Sequence, residues 1–115
     1  MHHSVEEHLV QYKEGMGNFE ATMPDLTKAY NHFTELCFQE GQVSQKHKQL
    51  AALTISVYAQ DEYCIIYHTK GSLNEGATEE EISEIIGVST AIGGGAAMSQ
   101  GATLVQECMQ TFRQH

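Results

Sequence analysis

Helix punctuation constrains this chain more than any other feature. Ser4 with Glu7, and Thr78 with Glu81, have the form of capping boxes. In such a box the hydroxyl accepts from one free backbone N–H while the carboxylate reaches back to another. Ser44 and Asp61 are placed to cap two further helices, and Pro24 suits a first helical position, where its missing N–H costs nothing. No segment shows the sustained apolar–polar alternation of a half-buried strand, and hairpin dipeptides such as Asn-Gly are missing. The pattern predicts an all-α fold, a compact bundle of about six helices in a single domain spanning residues 1–115.

Apolar spacing fills in the segments between these marks. Leu9, Tyr12, Met16 and Phe19 recur at helical intervals in a first helix from about Val5 to Glu20. Leu26, Tyr30, Phe33, Leu36 and Cys37 form one apolar stripe on a second helix that ends near Gly41. A third helix carries Leu50, Leu53, Val57 and Tyr58. A fourth runs from the Asp61 cap through Tyr63, Cys64, Ile66, Tyr67 and Leu73 to Gly76, a left-handed terminator. The fifth follows Thr78 along Ile82, Ile85 and Ile86. After the breaker or close-contact run Gly93-Gly94-Gly95, a sixth extends from about Ala96 to Arg113.

Charge and cysteine usage narrow the function classes. Six Lys and Arg against fifteen Asp and Glu leave a net charge of -9, which repels phosphate backbones and anionic lipid. Nucleic acid and membrane are therefore not expected partners. The stretch from Ile85 to Val105 is too interrupted by Gly, Ser, Thr and Gln for a membrane span. The polar start from Met1 to Tyr12 has no secretory character. Cytoplasmic localisation is the expectation. The three cysteines Cys37, Cys64 and Cys108 are widely spaced and contain no Cys-x-x-Cys pair, which favours reduced thiols over a disulfide framework. Seven histidines, among them the terminal pair His2 and His3 and the final His115, show no compact ligand spacing. Neither a dedicated metal site nor any other cofactor is expected.

The most informative segment is Asp61-Glu62-Tyr63-Cys64-Ile65-Ile66-Tyr67-His68. Cys64 and His68 are four residues apart, so on a helix they share a face one turn apart. An imidazolium beside a thiol, or a place near a helix N-terminus, lowers the thiol pKa and favours the nucleophilic thiolate. On spacing alone the pair reads more readily as a core cysteine beside a hydrogen-bonded histidine. Glu62 points to a different face of an ideal helix. Tyr63 and Tyr67 sit beside the Cys64–His68 face with packing as their default role, while Tyr58 and Tyr67 could border a pocket.

From about Val43 to Val88 the chain resembles the core of the carboxymuconolactone decarboxylase and alkyl hydroperoxidase D (AhpD) family. The resemblance rests on the run Lys48-Gln49-Leu50-Ala51-Ala52-Leu53-Thr54-Ile55-Ser56-Val57, then Glu62-Tyr63-Cys64-Ile65 and His68, then Gly76-Ala77-Thr78-Glu79-Glu80-Glu81-Ile82. In the AhpD branch the matching segment reads Cys-x-x-Cys-x-x-x-His, with a glutamate of the preceding helix in a proton relay. This sequence supplies Cys64 and His68, but Asp61 stands at the first cysteine and Gln49 at the glutamate. It resembles a single-cysteine variant. Losing the first cysteine removes internal disulfide resolution, and an amide cannot exchange a proton near neutral pH as a carboxylate can.

The resemblance implies an AhpD-like helical bundle, assembly as a homo-oligomer (trimer or hexamer), a small-molecule substrate, and catalytic roles for Cys64 and His68. Gln49, Asp61 and Tyr67 follow as pocket or relay positions. The leading expectation is a peroxide-reducing thiol oxidoreductase, a peroxidase of the peroxiredoxin type. Cys64 would cycle through a sulfenic acid, restored by an external thiol or by Cys37 or Cys108. One alternative is an acid–base enzyme acting on a small organic acid or lactone through His68. Another is a non-catalytic member that retains assembly or ligand binding.

Overall fold

A computed structural model describes residues 4–113. The helices are α1 (Val5–Thr22), α2 (Pro24–Phe38), α3 (Gln45–Ala59), α4 (Glu62–Asn74), α5 (Glu79–Gly93), α6 (Gly95–Ala102) and α7 (Leu104–Arg113). No strand occurs among the described residues. The all-α expectation holds, and so do its start signals. Ser4 and Thr78 each complete a capping box, Ser44 Oγ accepts from His47 N at 3.1 Å, and Asp61 Oδ1 accepts from Cys64 N at 3.0 Å. Pro24 opens α2, and Gly76 ends the α4 segment at φ 93°.

The sixth expected segment is divided. Gly101 lies so close to Ile86 of α5 that a Cβ there would collide with the isoleucine side chain. Thr103 follows at φ -116°, ψ -76°, outside ideal helical geometry. The Gln106 side chain donates to the Gly101 carbonyl at 3.2 Å, serving an acceptor at the break. Upstream, Gly94 turns the chain from α5 into α6 at φ 73°, ψ -149°, a backbone region that strongly favours glycine.

Burial concentrates on α3, α4, α5 and α7. Leu53 and Val57 of α3, Ile65 and Ile66 of α4, Ile82 of α5 and Val105, Cys108 and Met109 of α7 are fully or almost fully buried. Each such aliphatic side chain contributes about 1.5–3 kcal/mol relative to exposure. Helix α4 lies between α3 and α7. Its core face also buries Thr69 and Ser72, whose hydroxyls donate within the helix to the Ile65 and His68 carbonyls, both at 2.7 Å. Ser89 Oγ donates to the Thr54 carbonyl at 2.8 Å and ties α5 to α3.

Helices α1 and α2 are different. Val5 and His8 are the buried residues of α1, and Thr27 alone is buried on α2. The apolar stripe expected on α2 does not face the core: Leu26, Tyr30, Phe33 and Leu36 are each more than half exposed. No helix among the described residues is long and apolar enough to cross a membrane.

Candidate functional site

The site starts at the turn between α3 and α4. Gln60 ends α3 in the left-handed conformation at φ 59°, and its N–H is taken up by the carbonyls of Ser56 and Val57. This reversal puts Asp61 at the head of α4. Its carboxylate accepts the Cys64 N–H, which fixes Cys64 in the first helical turn. His68 follows one turn later and Gly71 about another turn on, so all three lie along one stripe of α4.

Gly71 has a specific job on that stripe. A Cβ there would run into the side-chain amide of Gln49, so the glycine makes room for Gln49 to reach across from α3. Gln49 Oε1 lies 2.9 Å from His68 Nδ1. An amide oxygen can only accept, so Nδ1 carries the proton and donates, which leaves Nε2 as the bare nitrogen of a neutral imidazole. Phe38 of α2 stacks on the ring at 5.6 Å and 12°, while Tyr67 meets it edge-on at 5.3 Å and 86°. Enclosed in this way, His68 is desolvated, and burial lowers its pKa below the ordinary 6.5.

The thiol departs from expectation. Its position near the start of α4 and beside His68 suggested a lowered pKa, yet the Cys64 pKa is raised. Burial is the largest cause, followed by the hydrogen bond to Asp61 and then the negative charge of that carboxylate. The residue that caps the helix thus opposes the thiolate the helix terminus would favour. Among the described residues His68 bonds to Gln49 and no Cys64–His68 hydrogen bond forms. The resting pair is a neutral thiol beside a neutral imidazole.

Cys64, His68, Gln49 and Tyr67 nevertheless open onto one cavity of about 330 Å³, at the small end of the range for ligand sites. Asp61 stands behind Cys64 as the cap. Sequence reasoning missed the opposite wall, where α1 brings Tyr12 and α2 brings Tyr30, Asn31, Thr34, Glu35 and Phe38. Tyr12 is close to the chemistry. Its pKa is raised by burial first, then by the electrostatic influence of Tyr67, Cys64, Tyr30 and Asp61. A usable signal existed on α2, since residues 30, 31, 34, 35 and 38 share one face at helical spacing and mix aromatic with polar side chains.

Other candidates fall outside the cavity wall or play other parts. Tyr58 is exposed and packs near Gly93. Glu62 pairs with His8 Nε2 at 3.2 Å. Tyr63, a further lining residue, donates to Gln11 Oε1 at 2.9 Å and thereby ties α1 to α4. Cys108 is buried in the core, where burial and then Glu107 push its thiol up to about 12, so it is no resolving thiol for Cys64. Cys37 is exposed on α2, and all three cysteines are free. No group of three or more His, Cys, Asp or Glu among the described residues could hold a metal ion. His2, His3 and His115 lie outside the described residues.

Residues 24–107 match the model of the carboxymuconolactone decarboxylase family. The chain belongs to this family. The match takes in α2 to α6 and part of α7, so it includes every lining residue except those of α1. Uncharacterized protein 4 in the cox locus of Paracoccus denitrificans is 35% identical over 72 residues, 63% of this chain and 65% of that protein. The alignment thus spans just under two thirds of that relative's length. An apo crystal structure of a carboxymuconolactone decarboxylase family protein from Legionella pneumophila superposes with a TM-score of 0.80 at 25% identity, covering 90% of this chain and 89% of that one. A family protein from Thermotoga maritima, suggested to be involved in antioxidative response, shares the fold with a TM-score of 0.72 at 20% identity, covering 87% and 91% of the two chains.

Proposed function

We infer that this family member is a single-cysteine, AhpD-like thiol oxidoreductase that reduces peroxides, with Cys64 as nucleophile and His68 as its base. The observation that carries the reading is the Gln49–His68 bond, which leaves Nε2 free on the cavity that Cys64 also lines. A neutral base next to an unionised thiol suits deprotonation during the reaction rather than a standing thiolate. In the step proposed, His68 Nε2 takes the Cys64 proton and the sulfur attacks the terminal oxygen of a hydroperoxide. The O–O bond breaks, the departing alkoxide takes the proton back as an alcohol, and Cys64 becomes a sulfenic acid. One external thiol then forms a mixed disulfide with loss of water. A second thiol releases Cys64 and leaves as the reductant's disulfide.

Gln49 in this scheme is an orienting group, holding the tautomer as a hydrogen-bond acceptor. The acid–base alternative would use the same His68 Nε2, but a carboxylated substrate would meet no Lys or Arg on the cavity wall. The broad apolar face of α2 supports assembly as a homo-oligomer, since exposed patches of this kind mark interaction surfaces. The deciding experiment follows peroxide consumption with dithiothreitol as reductant, alongside mass spectrometry of Cys64. Sulfenic acid formation that disappears in Cys64→Ser and slows at least about ten-fold in His68→Ala, the lower range of general-base contributions being larger still, supports the reading. Oxidation of Cys64 no faster than free cysteine, with no thiol-sustained turnover, would sink it.

A further inference from the structure

The cavity wall has a chemical character that peroxide reduction does not require. Four of the five tyrosines, Tyr12, Tyr30, Tyr63 and Tyr67, line it, together with Phe38. They come from three separate helices. The rings of α1 and α4 are set at an angle to each other, with Tyr12 and Tyr63 centroids 5.5 Å apart at 45° and Tyr12 and Tyr67 6.5 Å apart at 46°. Opposite them α2 contributes Tyr30 and the carboxylate of Glu35. Glu35 has no ion-pair partner among the described residues. No lysine or arginine lines the cavity, and Asp61 adds a second negative charge beside Cys64.

Aromatic faces present negative potential, and an enclosure of several rings with a carboxylate is the arrangement that attracts a small organic cation. A carboxylate ligand would meet Glu35 and the aromatic wall, with the Asp61 charge close behind Cys64 and no compensating positive charge. We propose that this cavity binds a small organic cation of the alkylammonium class, held by the tyrosine-rich wall and Glu35 and seated over Cys64. A bound cation would supply the positive charge that no side chain of the wall supplies. The inference rests on the cavity's shape and charge and not on turnover at Cys64.

The chain has no tryptophan, so its tyrosine emission reports chiefly on this wall. The test titrates the intact protein with choline, with the uncharged isostere in which carbon replaces the quaternary nitrogen, and with the tert-butylacetate anion. Isothermal calorimetry runs in parallel. Choline should bind saturably and at least about ten-fold more tightly than its carbon isostere, with the anion weakest. Glu35→Gln, a change on an exposed helix position, should weaken choline by about three- to ten-fold and leave the isostere unchanged. Tyr30→Leu should also weaken choline. Equal affinity for choline and isostere, tighter binding of the anion, or no saturable binding by either method would overturn the proposal. Repeating the titration in Cys64→Ser separates it from the redox reading, because cation binding should survive there while peroxide reduction is lost.

Discussion

The two halves of this molecule are held by different physics. In α3–α7, buried side chains from all five helices meet in one core, which α1 joins only through Val5 and the partly buried Leu9. The α1–α2 pair buries three residues, Val5, His8 and Thr27, and leaves Phe19, Leu26, Tyr30, Phe33 and Leu36 about half or more exposed. The cavity lies on the seam, with Cys64, His68 and Gln49 supplied by the packed half and Tyr12, Tyr30, Glu35 and Phe38 by the other. Groups that must be held in register sit on rigid elements. Groups that shape and charge the opening sit where stability depends least on their identity.

The largest expected contrast is in stability. Leu53→Ala removes a fully buried side chain and should cost about 2–5 kcal/mol in denaturant unfolding. Phe33→Ala on the exposed face of α2 should stay within about 0.5 kcal/mol when measured on the monomer. A larger loss that depends on protein concentration would place the α2 face inside a subunit interface, because association adds stability by mass action. A monomer in which Phe33→Ala costs as much as Leu53→Ala would abolish the distinction between the halves.

A second contrast lies within the site. Asp61 caps α4 and also holds the Cys64 thiol in its protonated form. Asparagine caps a helix about as well as aspartate but brings no charge. Asp61→Asn should therefore leave the fold intact and raise iodoacetamide alkylation of Cys64 at neutral pH by about three- to ten-fold. In the parent protein the thiolate is the minor species at neutral pH, so the alkylation rate should climb with pH past the ordinary thiol range. An unchanged rate in Asp61→Asn would mean that burial alone holds the proton on sulfur.

These contrasts also show what could be read in advance. The caps at Ser4, Ser44, Asp61 and Thr78 were legible because each is a local event, a side-chain oxygen meeting a backbone N–H three residues ahead. The Cys64–His68 stripe was legible for the same reason, since helical spacing alone puts both on one face. The sign of the thiol shift was not, because one carboxylate contributes both a favourable cap and an unfavourable charge, and spacing does not weigh them. Nor was the Tyr12, Tyr30 and Glu35 wall, which depends on how α1 and α2 cross α4. Apolar stripe and core face largely coincide on α3, α5 and α7, but α2 breaks that equation. On α1 the stripe residues Tyr12 and Phe19 are exposed while Val5 and His8 are buried.

His68 offers a smaller effect on the packed side of the seam. Burial lowers its pKa, so the unfolded chain binds the proton more readily, and stability is lost as pH falls through the unfolded value near 6.5. The loss should level off once the pH is below the folded value. His68→Gln should flatten that part of the stability profile relative to the parent. Gly71→Ala probes the same histidine from behind. It displaces only the end of a flexible side chain and should cost less than about 1 kcal/mol, yet it should remove the hydrogen-bonded Nδ1–H signal of His68 from the proton NMR spectrum. Persistence of that signal would show that Gln49 does not set the tautomer.

The smallest expected change concerns the hinge on which the site is built. Gln60 adopts φ 59°, ψ 35° where α3 turns into α4, a region in which a Cβ crowds the following carbonyl at a cost of about 1–2 kcal/mol. Glycine avoids that crowding but adds freedom to the unfolded chain, which takes back part of the gain. Gln60→Gly should therefore raise stability by roughly 0.5–1 kcal/mol, read from the unfolding midpoint at unchanged slope. Cys64 alkylation should stay at the parent rate, because the capping bond from Asp61 to the Cys64 N–H involves neither the Gln60 side chain nor its backbone. A destabilised variant would mean that the Gln60 side chain contributes more to closing this turn than its backbone strain costs.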